Sequence, residues 1–222
     1  MIVAGLCLLA WAITVWQWQD PFTAAVQKYE QRELADSFEQ RLKLVQRRRP
    51  PDRAVASPAE IRRGLRRDAL AWRQASERGD AIARLRIPRL GVNEIVVNGT
   101  DSGTLKRGPG RYLGSGMPGE GKLVYIAGHR TTYGAPFSHI ERLERGDPVY
   151  VELPYGTIEY VVTGHRIVPA TQLSALRSRG FEQLALQACH PRFFASERYI
   201  AYAKPVSVTQ PGEGEALPLS AG

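Results

Sequence analysis

An all-β domain, sandwich or barrel, behind a helical N-terminal third is the fold class this sequence predicts. Three observations carry the prediction. From residue 80 onward, short runs rich in Val, Ile, Leu and Tyr alternate with Gly and Pro about every ten residues, the spacing of an all-β domain. Before Gly79 the apolar residues recur at helical spacing. No period of 20 to 50 residues repeats, which excludes solenoids and propellers. The chain has 222 residues, 43% hydrophobic and 23% charged, ordinary for one folded unit and far from a polytopic membrane protein.

The elements are justified in chain order. Residues 1–18 form an apolar run with no charge before Asp20 and with Trp16 and Trp18 near its end. As a helix the run is roughly 27 Å long, enough for one membrane span. It lacks the basic leader and small-residue cleavage site of a signal peptide, so 1–19 is expected to be a retained transmembrane anchor. Cys7 is expected to be a thiol inside that span. Val26, Leu34, Phe38, Leu42 and Val45 then mark an amphipathic helix, which Pro50 and Pro51 stop because proline lacks the amide a helix needs. A second helix runs from Pro58 to about Arg78, ended by Gly79. Residues 20–82 therefore read as a helical stalk with a basic, Pro-containing linker, in which the second helix is a docking helix before the main domain.

Strands are expected over 83–87, 93–97, 123–128, 148–153, 157–168, 184–188 and 198–203, with a hairpin turn at Pro154-Tyr155-Gly156. Short helices fit 101–106, 136–143 and 172–178. The tail 209–222 has too little apolar surface to fold and is expected to be disordered. The β-domain proper is 83–208.

Thirty basic and 22 acidic residues give a net charge of +8, with clusters at Arg47 to Arg49 and at Arg62, Arg63, Arg66 and Arg67. No aromatics interleave with these clusters and no nucleic-acid module is present, so a solvated face is the expected reading and no nucleic-acid partner is expected. Two cysteines in unlike contexts exclude a disulfide framework and a Cys-based zinc site, and no metal or cofactor is expected.

Cys189 closes the strand 184–188, just before His190-Pro191, and Arg198 opens the next strand. A lone cysteine is commonly a small core residue. At a strand end with a cation on the neighbouring strand, it is also a candidate nucleophile, because the thiolate is the reactive form and a cation stabilises it. Four histidines are available as a base. His190 adjoins Cys189 and would face the other side of the strand. His165 lies inside a long strand and His139 on a short helix. His129, at a strand end before a polar loop, is the best placed.

Ile126-Ala127-Gly128-His129-Arg130-Thr131-Thr132-Tyr133-Gly134-Ala135-Pro136-Phe137 resembles the histidine motif of sortases, in particular the actinobacterial class E branch. Leu186-Gln187-Ala188-Cys189-His190-Pro191-Arg192-Phe193, followed by Glu197-Arg198, resembles the same family's cysteine and arginine motifs. The resemblance covers about residues 83–206. It implies a closed β-barrel of about eight strands and a membrane-anchored, extracytoplasmic cysteine transpeptidase, with catalytic Cys189, His129 and Arg198. It implies as partners the sorting-signal peptides of secreted proteins, of Leu-Ala-x-Thr-Gly type, and a cell-wall precursor amine or a pilin lysine as acceptor. Tyr112, Thr131, Tyr133 and Ala188 are the expected substrate-binding residues. It also decides the orientation, since positive-inside counting of Lys28 and Arg32 alone would put the domain in the cytoplasm. The chain departs from the family's Thr-Leu-x-Thr-Cys at Ala185 and Ala188, which removes a hydroxyl beside the nucleophile. Two other readings of the residues remain: a membrane-tethered thiol hydrolase of another fold, and a non-enzymatic β-domain with Cys189 packed in its core.

Overall fold

A computed structural model describes residues 2–7, 21–47, 57–211 and 215–219. Eight strands close into a barrel: β1 (Ala81–Ile87), β2 (Val92–Asn98), β3 (Gly110–Arg111), β4 (Leu123–Ala127), β5 (Pro148–Leu153), β6 (Gly156–Pro169), β7 (Gln183–His190) and β8 (Glu197–Thr209). The ring runs β6-β5-β1-β2-β3-β4-β7-β8 and is shut by β8 returning to β6. Pairing is antiparallel except at β2–β3 and β4–β7. The β5–β6 hairpin turns at Pro154 and Tyr155, where expected.

Period-2 alternation fills the barrel. Along β7, Leu184, Leu186 and Ala188 join the interior with Leu85, Ile87, Val149, Val151, Leu153, Ile158 and Tyr160. Ala185 points outward, against Leu123, Tyr125, Val168 and Ile200. The odd-numbered residues of this strand thus face the outer surface, and Cys189 is one of them.

Both N-terminal helices pack on the barrel; the sequence predicts a spacer for the first and a docking helix for the second. In α1 (Pro21–Arg47), Leu34 and Phe38 cover Ala81, Ile95 and Val97 on the outside of β1 and β2. In α2 (Pro58–Gln74), a capping box between Ser57 and Glu60 and a proline in the first turn start the helix. Its Ile61, Leu65, Ala69 and Trp72 enter the same cluster as the barrel interior, and Trp72 Nε1 donates to the Ile82 carbonyl at 3.0 Å. The helical spacing was legible. The apolar surface it covers was not, because that surface exists only once the strands have paired.

The tail also differs from expectation: β9 (Ala216–Pro218) pairs with Ser207 to Thr209, and Leu219 is buried while its carbonyl accepts from Arg62 at 2.6 Å. The expected helix at 101–106 is α3 (Ser102–Arg107), N-capped by Asp101. Those at 136–143 and 172–178 are single 3-10 turns, Ile140–Arg142 and Leu173–Leu176. Most of the expected anchor, most of the basic linker and part of the tail lie outside the described residues. Residues 2–7 are helical with Cys7 exposed, and among the described residues no helix is long and apolar enough to cross a membrane.

Candidate active site

Cys189 and Arg198 are register partners on β7 and β8, so their side chains leave the sheet on the same face. β4 runs parallel to β7, and its end delivers His129 to that face: Ala127 is in register with Gln187, and the Gly128 amide donates to the Gln187 carbonyl at 2.9 Å. Gly128 is required for this turn, since a Cβ there would sit 2.6 Å from the Phe137 ring. All three residues line one groove of about 330 Å³. Leu105, Tyr112, Tyr125, Val168, Leu173 and Leu176 also line it.

The polar contacts fix the trio from behind. Arg198 Nη1 donates to the carbonyls of Ala195 at 2.7 Å and Glu197 at 2.9 Å, and among the described residues no carboxylate is paired with it. Its charge is therefore not cancelled by a fixed anion. Thr132 Oγ1 lies 3.4 Å from His129 Nδ1, and His129 Nε2 is buried with no hydrogen-bond partner among the described residues. Burial holds the His129 pKa below the usual imidazole value of 6.5, and the Lys106 ammonium adds to this by disfavouring a second cation.

A second arginine, Arg130, is buried beneath the site. One amino group donates to the Cys189 carbonyl at 3.0 Å and meets His190 Nδ1 at 2.9 Å, and the other pairs with Glu141 at 2.8 Å. That hydrogen bond makes His190 Nδ1 the acceptor, so the ring carries its proton on Nε2. His190 does not line the groove. His165 stacks on Tyr199 at 4.9 Å between centroids, and His139 lies beside Glu141.

The expected substrate-binding residues divide. Tyr112 lines the groove. Thr131 and Tyr133 lie on the loop after His129 and do not line it, although the Tyr133 ring packs 5.1 Å from the His129 ring. Ala188 is fully buried, clusters with the barrel interior and does not line the groove. Sequence reasoning assigned no role to Lys106, Arg130 or Leu105. Arg130 carried a signal in its place directly after His129, whereas Lys106 reaches the site only through the fold.

A filled β-barrel that gathers a cysteine, a histidine and an arginine around one outer groove defines a cysteine-dependent acyl-transfer enzyme. Comparison with known proteins specifies which. The Sortase domain family matches residues 85–206, and the chain belongs to the sortase family of cysteine transpeptidases. It is 33% identical to Sortase D of Bacillus subtilis over 135 residues, 59% of this chain and 67% of that one. It is 32% identical to Sortase SrtE1 of Streptomyces coelicolor over 157 residues, 63% of this chain but only 44% of the relative. Among solved structures, sortase E from Streptomyces avermitilis superposes with a TM-score of 0.57 at 32% identity, over 65% of this chain and 99% of that one. Sortase E1 from Streptomyces coelicolor, solved with a tripeptide in the active site, gives 0.58 at 28% identity over 62% and 94%. The resemblance to class E sortases is thus found in sequence and in fold alike.

Proposed function

We propose that this chain cleaves a C-terminal sorting signal of Leu-Ala-x-Thr-Gly type between Thr and Gly and joins the upstream protein to a cell-wall amine. The observation that carries the reading is the cross-strand pair of Cys189 and Arg198 opening into a groove that His129 also lines. Cys189 Sγ, as thiolate, attacks the threonine carbonyl carbon. Arg198 offers its forked donors to the resulting oxyanion, a role for which an uncancelled guanidinium suits. As the carbon–nitrogen bond breaks, His129 gives its proton to the departing glycine amine, leaving a thioester on Cys189. An incoming amine attacks that thioester, returns a proton to His129 and releases the sulfur.

Burial and the Lys106 ammonium disfavour the imidazolium form of His129. The apolar lining of Tyr112, Val168, Leu173, Ala175 and Leu176 suits the leucine and alanine side of such a signal. Residues 1–19 as a membrane anchor and an extracytoplasmic catalytic domain complete the proposal, since the acceptor amine belongs to the wall. The test is incubation with a Leu-Ala-x-Thr-Gly peptide and an amine: a ligated product supports the reading, and cleavage that ignores the amine at saturating concentration overturns transfer.

A further inference from the structure

The loop that follows His129 is held by a part of the chain outside the family's matched region. Thr23, in the first turn of α1, accepts a hydrogen bond at its Oγ1 from the Tyr133 backbone amide at 3.0 Å. One turn on, Gln27 is only 3% exposed, and its Nε2 donates to Glu94 Oε2 at 2.7 Å. Its Oε1 lies against Gly134, where a Cβ would crowd it, and Gly134 holds φ +69°, which disfavours residues other than glycine. The Tyr133 ring between these contacts packs on the His129 ring at 5.1 Å.

The same helix also holds the end of α3. Glu30 pairs with Arg107 at 2.9 Å, and Gln31 donates to the Arg107 carbonyl at 2.8 Å. Arg107 ends α3, whose Leu105 lines the groove and whose Lys106 ammonium lies 5.8 Å from the Tyr133 ring. α1 therefore touches both the loop after His129 and the end of α3, with Thr23 and Gln31 bonded to a backbone group of each. Apolar cover alone would not need them, because Leu34 and Phe38 do that work further along the helix.

We propose that α1 completes the active site, with Thr23 and Gln27 as positioning residues that hold the 130–135 loop and so set the place of His129. This rests on the reading of His129 as the catalytic acid and base. A backbone shift of the loop moves the imidazole relative to the Cys189 sulfur, and misplacement by about 1 Å costs reactions of this kind about a hundredfold. Because α1 begins directly after residues 8–20, it also ties the proposed anchor to the catalytic loop.

The experiment uses the full chain in detergent micelles and compares Thr23→Val, Thr23→Ser and Gln27→Ala with the parent and with His129→Ala on one sorting peptide. Thr23→Val keeps the side-chain shape and removes the acceptor. It is expected to lower kcat about tenfold, with KM within about twofold and the melting temperature within a few degrees. Thr23→Ser, which keeps the hydroxyl, should recover most of the rate, and Gln27→Ala should fall with Thr23→Val. Parent-like kcat in both Thr23→Val and Gln27→Ala, or a Thr23→Ser as impaired as Thr23→Val, overturns the inference. An active His129→Ala would instead overturn the underlying reading of the site, so the two failures are distinguishable.

Discussion

Trp72→Ala tests whether α2 is part of the catalytic domain. The indole is 7% exposed, lies in the same cluster as the barrel interior, donates to the Ile82 carbonyl, and carries the Arg41 guanidinium 4.4 Å above its ring. Truncating a buried tryptophan to alanine costs about 3–5 kcal/mol through lost transfer energy and the cavity left behind. Against a total stability of about 5–15 kcal/mol that is a large fraction. For a domain of this size it lowers the melting temperature by about 6–20 °C. Trp72→Phe keeps most of the apolar fill and loses the donor, so it should cost only about 1–2 kcal/mol. Thermal and urea unfolding followed by circular dichroism measure both. The same packing makes a chain beginning at residue 81 aggregation-prone, since Ile61, Leu65 and Trp72 would all be missing from the core. A Trp72→Ala protein that melts within about 2 °C of the parent, or a well-folded chain from residue 81, would show that α2 is a detachable stalk and refute this reasoning.

Two further predictions concern the groove. Arg198→Lys should lose at least about tenfold in kcat/KM and Arg198→Ala more, because an ammonium lacks the planar fork and loss of an oxyanion donor costs about 10² to 10³ in rate. Steady-state kinetics on one peptide, with thiol alkylation confirming that Cys189 stays reactive, is the check; parent-like rates for Arg198→Ala would assign the oxyanion donor elsewhere. Lys106→Met removes a cation that disfavours protonation of His129, so the His129 pKa should rise toward 6.5 and the acid limb of the kcat/KM profile should move to higher pH. Since Lys106 is exposed, the parent's limb should also move upward with added salt. A limb that stays put under both changes contradicts the electrostatic account.

The strands of the barrel could be read from their alternation, and the trio from strand ends: Cys189 before Pro191, Arg198 at the next strand's start, His129 before a polar loop. β3 could not, because two residues carry no period. Its place depends on Val97 and Asn98 pairing with Gly110 and Arg111. The same limit hid the packing of α1 and α2. Their stripes were visible, but what covers Leu34 is made of β1 and β2, and what Trp72 joins is the barrel cluster, once the barrel has closed. Ala188 adjoins Cys189 in sequence, but the pleat turns successive side chains to opposite faces and Ala188 clusters with the barrel interior. β9 was missed because three residues with one buried leucine beyond them fall below any compositional threshold for folding.

The central claim is that acyl transfer runs through the Cys189 sulfur, and intact-protein mass spectrometry addresses it most directly. Parent protein mixed with a Leu-Ala-x-Thr-Gly peptide, quenched in acid, should carry an added mass equal to the peptide through its threonine. Proteolysis should locate that mass on the segment containing Cys189, and it should vanish when an amine is supplied before the quench. Cys189→Ala should show neither the adduct nor ligated product while retaining the parent's circular dichroism. Ligated product from Cys189→Ala, or an adduct carried on Cys7, would contradict the account.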